Sequence, residues 1–230
     1  NLKFIAVGGA SVSPELLTAA HAVGLPAYEG YGLSECASVV ALNSPAAAHK
    51  GSVGRVLPHA RIRIDAAGEI HVRGATMSGY LGNDDHAQDE VATGDLGFID
   101  ADGFLHVRGR RKNLLITSLG RNVSPEWVER ELLASGYIGQ AVVFGEAKPF
   151  LSCLIYPSSP MVTAAELGAA IDAANRRLPD YAQVRRWALL PQPLRLADGT
   201  VTSNGRTRRD VVFSRHQNLI EDLYVDAIAS

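Results

Sequence analysis

Residues 93–125 read TGDLGFIDADGFLHVRGRRKNLLITSLGRNVSP. Thr93 to Asp95 has the composition of a polar, glycine-flanked loop. Phe98-Ile99-Asp100 and Phe104-Leu105-His106-Val107 then flank Ala101-Asp102-Gly103, and Asp-Gly between apolar runs is a strong hairpin signal. An unusually basic junction follows, from Arg108 to Lys112, and then a short apolar strand from Leu114 to Thr117. Gly120 supplies a backbone shape that other residues resist. Ser124-Pro125-Glu126 reads as N-cap, N1 proline and first-turn acid. The helix they start, to about Ala134, buries Trp127, Val128 and Leu132, with Leu133 beside them, and exposes Glu126, Glu129, Arg130 and Glu131.

Upstream, Asn1 to Val7 reads as a strand, Gly8-Gly9-Ala10 as a glycine turn, and Pro14 to about Val23 as a helix capped by Ser13. Leu16, Leu17, Ala20 and Val23 share one face of it. This strand, turn and helix order is that of an α/β unit. A second short strand, Pro26 to Gly30, leads into Tyr31-Gly32-Leu33-Ser34-Glu35. From Gly51 to Arg108 the pattern becomes short alternating strands, Arg61 to Asp65, Glu69 to Arg73 and Phe104 to Arg108, turned at Asp65-Ala-Ala-Gly68 and Asp102-Gly103. Such a run predicts a small antiparallel sheet or barrel. Asn83 to Glu90 reads as a solvated acidic loop.

Downstream, Gln140 to Phe144 and Leu151 to Tyr156 flank Gly145-Glu-Ala-Lys-Pro149 as a hairpin. An alanine-rich helix capped by Thr163 runs to about Leu178, a strand passes through Ala188-Leu-Leu, and a polar loop, Asp198 to Asp210, holds Arg206, Arg208 and Arg209. That order is α+β, whereas the first part of the chain is α/β.

Charge and composition bound the rest. With 22 Lys+Arg against 24 Asp+Glu, the net charge is -2, so there is no overall basic field and nucleic acid is not an expected partner. The basic residues gather instead at Arg108 to Lys112 and Arg206 to Arg209, which is the pattern of local anion sites. Cys36 and Cys153 stand far apart in apolar surroundings, read as buried thiols in a reducing, cytoplasmic setting rather than as a disulfide framework. Seven histidines are scattered singly and read as surface or packing residues. There is no apolar run of membrane-spanning length. The oligomeric state is not legible.

Several of these segments resemble, in order and spacing, the late motifs of the adenylate-forming enzymes: acyl-CoA synthetases, luciferases and peptide-synthetase adenylation domains. They are Tyr31-Gly32-Leu33-Ser34-Glu35, Thr93-Gly-Asp-Leu-Gly97, Gly109-Arg-Arg-Lys112, and Gly120 through Glu126. The wording LLITSLGRNVSPEWVE looks most like the long-chain fatty acyl-CoA synthetases.

The resemblance implies residues 1–111 as the end of a large AMP-binding domain and 112–230 as a small mobile domain pivoting at Lys112. It implies ATP, Mg²⁺ and CoA as ligands and a fatty acid as substrate. An acyl carrier protein replacing CoA, and a degenerate, non-catalytic module, are the alternatives. Bare backbone at Gly8, Gly9 and Ala10 would approach adenine, although Gly8-Gly9 also reads as a plain tight turn. The Tyr31 ring, next to Gly32, would stack on the base, the Ser34 hydroxyl would meet a phosphate oxygen, and Glu35 would ligate Mg²⁺. Asp95 would accept two ribose hydroxyls, with Arg110 and Arg121 directed at ribose and phosphate.

The terminal loop departs from the family pattern, because Arg206 stands where the family has a lysine on the reacting carboxylate and phosphate. Either arginine supplies that charge or the adenylation step is impaired; Arg208 or Arg209 shifting the register, or a mere solvated helix start, are the other readings. The family's upstream phosphate loop has no counterpart here, and the chain opens directly as a strand. The sequence therefore reads as the C-terminal portion of such an enzyme, expected to be inactive by itself.

Overall fold

The Asp102-Gly103 turn joins the two longest neighbouring strands of the first half. A computed structural model of the chain describes residues 3–9, 12, 14–79 and 89–225. Ala10, Ser13 and Asn83 to Gln88 lie outside the described residues. By internal contacts the chain divides into two compact units, Asn1–Lys112 and Asn113–Ser230.

In the first unit, β1 (Ile5–Val7), α1 (Pro14–Ala22) and β2 (Ala27–Tyr31) form the α/β piece, with β1 and β2 parallel. Short strands β3 (Ala41–Leu42) and β4 (Arg55–Val56) extend that sheet antiparallel. A second, antiparallel sheet contains β5 (Ala60–Ile64), β6 (Glu69–Gly74), β7 (Glu90–Ile99) and β8 (Leu105–Arg110) in sequential order. Ile70, Val72 and Leu105 from this sheet and Val40, Ala41 and Val53 beside it are buried together.

Three expectations are corrected here. Thr93 to Asp95 is part of the ten-residue strand β7 and not a loop. Its polar composition hid a strand whose partner, β6, lies some twenty residues back in the chain. Glu90 is not solvated loop either: it opens β7 and pairs with Arg63 and Arg73. On α1, Leu16 is 61% exposed, and Val23, just past its end, 74%, whereas Leu17 and Ala20 of the same stripe are half-buried.

In the second unit, β9 (Leu115–Ile116) and β10 (Asn122–Val123) form a small hairpin, shorter than the expected Leu114 to Thr117 strand. Then come α2 (Pro125–Leu133), β11 (Ile138–Phe144), β12 (Leu151–Pro157), α3 (Ala164–Asn175), β13 (Val184–Leu189), α4 (Arg209–Arg215) and α5 (Gln217–Asp222). β12 pairs antiparallel with β11 and parallel with β13, with α3 as the crossover. Alternate residues of the sheet divide between two cores. Ala141, Val143, Leu151, Cys153 and Ile155 face the α2 and α3 residues Val128, Leu132, Leu167 and Ile171. Val142, Phe144 and Leu154 face Val212 of α4 and Ile220 of α5. A strand buried on both faces reads as an unbroken apolar run, which is what β11 and β12 are.

The caps form as their residue types dictate. Ser124 Oγ accepts from Trp127 N at 3.4 Å, and Thr163 and Glu166 form a reciprocal capping box. On α2, Glu129 is buried rather than exposed, and Leu133 is 37% exposed. Both cysteines are buried free thiols, and burial raises the thiol of each above its ordinary pKa. Among the described residues no helix is long and apolar enough to cross a membrane.

Candidate functional site

In the first unit the chain folds the Thr93-Gly94-Asp95 triplet into β7 and braces each member separately. Thr93 Oγ1 donates to Ile70 O at 2.7 Å. Gly94 N donates to Glu69 Oε1 at 2.9 Å. Asp95, only 6% exposed, accepts from the Tyr31 hydroxyl on Oδ2 at 2.7 Å and from Arg110 Nε on Oδ1 at 2.8 Å. Tyr31, Asp95 and Arg110, drawn from β2, β7 and β8, therefore form one cluster. Charge-assisted bonds of this kind contribute about 1.5–3 kcal/mol each.

A bulge sets the aim of Arg110. Between β7 and β8 the register shifts after Leu96, so that Arg108 has no partner while Asp95 stands opposite Arg110. A bulge of this sort redirects the side chains beyond it. Arg108 goes outward over the Phe98 ring, at 4.6 Å. Burial, and then the neighbouring Asp95 charge, hold the Tyr31 phenol far above its ordinary pKa, so it remains a donor.

The Tyr31-to-Glu35 segment is shaped by close backbone approach. A Cβ on Gly32 would lie 1.6 Å from Ser38 O, which is why only glycine fits there. Ser34–Cys36 is a single 3₁₀ turn, followed by Ala37 and Ser38 at φ of 54° and 77°. Two consecutive left-handed residues other than glycine are costly, about 1–2 kcal/mol each, and such strain concentrates at functional segments. The turn leaves Ser34 exposed and Glu35 half-buried.

Glu35 lines a cleft of about 320 Å³ with Leu33, Thr93, Gly94, Arg110, Arg111 and Lys112 among its walls. Three cations and one carboxylate line it; Arg110 and Arg111 are paired with Asp95 and Glu69 and keep further N–H donors for an anion, and Glu35 offers oxygen ligands to a cation. Gly8 and Gly9 follow β1, and a Cβ on Gly8 would sit 3.3 Å from Gly30 O at the end of β2. Because β1 and β2 are parallel, Gly8, Gly9 and Tyr31 share the carboxyl edge of that pair, where open α/β sheets bind ligands.

Sequence reasoning missed Glu69. It is 2% exposed, accepts from Gly94 N on one oxygen and pairs with Arg111 Nη1 through the other at 2.5 Å. The signal was a carboxylate opening an apolar strand, which needs a buried partner.

The remaining site residues, Lys112 apart, belong to the second unit. Gly120, at φ +71°, turns the β9–β10 hairpin, and Arg121 next to it stands over the Tyr181 ring at 5.6 Å. Arg206 is exposed on a tight turn in which Thr202 N donates to Arg206 O and Arg206 N to Thr202 Oγ1. Arg209 is hydrogen-bonded to Glu129 and to Val143 O. Lys112 is exposed and ends the first unit within the 3₁₀ turn Arg111–Asn113.

A phenol and a guanidinium on one carboxylate, beside a cleft with three cations in its lining, form an arrangement suited to a polar, anionic ligand. Comparison with known proteins makes this specific. Residues 1–81 match the model of the AMP-binding enzymes, and residues 112–227 that of the AMP-binding enzyme C-terminal domain. The long-chain-fatty-acid–CoA ligase FadD15 of Mycobacterium bovis is 33% identical over 253 residues, covering 97% of this chain and 42% of the relative.

Among solved structures, the anthranilate CoA ligase AuaEII in complex with anthranoyl-AMP superposes with a TM-score of 0.79. It is 20% identical, with 93% of this chain and 44% of that one covered. The o-succinylbenzoate CoA synthetase MenE from Bacillus subtilis, in complex with ATP and magnesium ion, gives 0.69 at 28% identity, over 83% of this chain and 43% of that one. The chain belongs to the AMP-binding, adenylate-forming enzyme family. It spans under half the length of the curated relatives it matches.

Proposed function

We propose that the protein supplies the late part of an ATP-dependent acyl-CoA synthetase, which activates a medium- or long-chain fatty acid as an acyl-adenylate and passes it to CoA. The observation that carries this reading is the Tyr31–Asp95–Arg110 cluster beside the basic cleft. The residues present fit a nucleoside phosphate. A carboxylate offers about four acceptor positions, and Asp95 uses one for Tyr31 and one for Arg110. Vicinal ribose hydroxyls take the others, competing with the Tyr31 phenol for a side chain only 9% exposed. Arg111 and Lys112 supply positive charge to the phosphates, and Glu35, the carboxylate of the cleft lining, holds Mg²⁺. Bound there, Mg²⁺ neutralises charge on the phosphates.

In the first half-reaction the fatty carboxylate attacks the α-phosphate, and pyrophosphate leaves. Arg206 contributes the charge for that step, as positioned cations do in phosphoryl chemistry. The unit beginning at Asn113 then pivots about Lys112, and the CoA thiol, losing its proton, attacks the acyl carbonyl and expels AMP. Two buried free thiols support a reducing cytoplasm as the setting.

The test is pyrophosphate release by the intact protein. It is expected only with ATP and a fatty acid together, and Asp95→Asn is expected to lower it at least tenfold. Silence with acids of every chain length rejects the reading. Mass detection of acyl-CoA separates CoA from a carrier-protein acceptor. Arginine at 206 favours a second reading, a non-catalytic adenylate-binding module; nucleotide binding without any pyrophosphate release would select it.

A further inference from the structure

The histidines scattered through the sequence do not stay apart in the fold. His49, from the loop between β3 and β4, and His106, on β8, converge on Asp100 at the β7–β8 turn. His49 Nδ1 is 2.9 Å and His106 Nε2 2.8 Å from the same oxygen, Asp100 Oδ2. The other oxygen, Oδ1, accepts from the backbone N–H of Asp102 at 3.0 Å and of Phe104 at 2.8 Å. Those two bonds fix the carboxylate and turn Oδ2 toward the imidazoles.

The far side of His106 decides what that pair of rings is built for. Its Nδ1 lies 3.1 Å from Gly51 O. A carbonyl only accepts, so Nδ1 carries the hydrogen, and the neutral ring then turns the bare lone pair of Nε2 at a carboxylate oxygen. Lone pairs 2.8 Å apart need a positive charge between them, a second proton or a metal ion. A backbone carbonyl behind an imidazole and amides behind a carboxylate are the outer partners that orient metal ligands. Ring contacts complete the fixing: Phe98 stacks on His106 at 4.7 Å and 6°, and the edge of Phe104 meets His49 at 5.3 Å.

We propose that His49 Nδ1, His106 Nε2 and Asp100 Oδ2 bind a divalent transition-metal ion of the Zn²⁺ class, away from the Glu35 cleft. Two imidazoles and one carboxylate suit Zn²⁺ or Co²⁺, whereas Mg²⁺ prefers oxygen ligands throughout. His49, 47% exposed in its side chain, leaves one side open for water to complete the coordination. The ion clips the loop carrying His49 and Gly51 onto the β7–β8 hairpin, the same hairpin that carries Asp95 and Arg110.

A second group, Asp65, Glu69 and His71, also brings ligand atoms close, but its chemistry differs. Both Glu69 oxygens are taken, by Gly94 N and Arg111, and His71 has a carboxylate oxygen 3.1 Å from each ring nitrogen. With the Glu69 carboxylate of this group already engaged by Gly94 N and Arg111, it serves as the control.

The test is titration of the untagged, chelator-stripped intact protein with Co²⁺ at pH 7.5, read by visible d–d absorption, with Zn²⁺ in competition. One Co²⁺ per chain, displaced by Zn²⁺ and indifferent to millimolar Mg²⁺, is expected. His106→Gln and His49→Gln should each weaken it tenfold or more, while His71→Gln leaves it unchanged. Asp100→Asn tests the third ligand, but Asp100 also holds the turn, so His49→Gln, remote from those backbone bonds, keeps the result interpretable. Absence of saturable binding, or binding that His106→Gln leaves intact, overturns the proposal.

Discussion

Arg209, at the start of α4, ends on a buried glutamate of α2: its Nη2 is 2.5 Å from Glu129 Oε1, while its Nε donates to Val143 O at 3.0 Å. The same Glu129 oxygen accepts from Val143 N at 2.9 Å. One ion pair thus ties α2, β11 and α4 together around the second unit's sheet. Burial pushes the Glu129 carboxyl up to about 7, against the opposing pull of Arg209 and the Val143 N–H.

Stability should report this pair through pH. A carboxyl raised from an ordinary value of 4.5 to about 7 binds its proton more tightly in the folded chain. The contribution is complete below about pH 4 and is lost as pH rises through 7, a span of about 3 kcal/mol. Glu129→Gln keeps an acceptor for Arg209 and is expected to flatten that slope. Arg209→Met strands the acid, and is expected to cost about 3–5 kcal/mol above pH 7 and less near pH 5, where Glu129 takes up a proton. Urea unfolding followed by tryptophan fluorescence checks both, because the two tryptophans, Trp127 and Trp187, pack on the second unit's core. A penalty for Arg209→Met that does not change with pH would refute the account.

Gly32 is fixed by packing as well as by any ligand. With Ser38 O only 1.6 Å from the position of its Cβ, Gly32→Ala forces the left-handed Ala37-Ser38 return to move. The expected loss is at least the 1–3 kcal/mol typical of overpacking. Melting followed by far-UV dichroism should show the first unit unfolding earlier, with the tryptophan transition of the second unit unmoved. A variant that melts like the parent would mean the return is pliable.

What could be read from the residues in order was what neighbours in sequence decide. The Asp102-Gly103 hairpin, the Ser124-Pro125 helix start and the Thr163 cap need only a few adjacent residues, and each forms. What escaped depends on partners distant in sequence. Thr93 to Asp95 looked like loop because the groups that hold it, Ile70 O, Glu69 and Tyr31, lie 23 to 64 residues away. Glu129 looked exposed because its cation, Arg209, comes 80 residues later. His49 and His106 looked solitary until the hairpin brought both to Asp100. Of the candidate site, Tyr31, Asp95 and Arg110 were singled out through the resemblance of their motifs to a family; Glu69, which holds Gly94 N and Arg111, was not.

The Tyr31 phenol offers a spectroscopic check on that cluster. Burial and the Asp95 charge keep it protonated well past the ordinary tyrosine range. Titrating the native chain from pH 6 to 11 at 295 nm, Tyr31→Phe should leave the amplitude unchanged. In the unfolded chain the same substitution should lower it by one phenol. Loss of one phenol's signal from the native titration would place Tyr31 outside the buried contact.

Arg206 is the position where fold and chemistry separate most cleanly. Its side chain is exposed, and the turn beneath it is made by backbone and Thr202 contacts that a substitution leaves in place. Arg206→Ala should therefore melt within about 0.5 kcal/mol of the parent, as surface changes do. On the proposed function it should slow ATP–pyrophosphate exchange by about 10²–10³, the loss usual for one preorganised donor. Arg206→Lys keeps the charge as a compact point donor on a flexible four-carbon stem, and should stay within about tenfold of the parent. Thioester formation from a supplied acyl-adenylate should be spared in both variants, since the charge serves the first half-reaction alone. Equal loss in both half-reactions would instead assign Arg206 to general nucleotide binding.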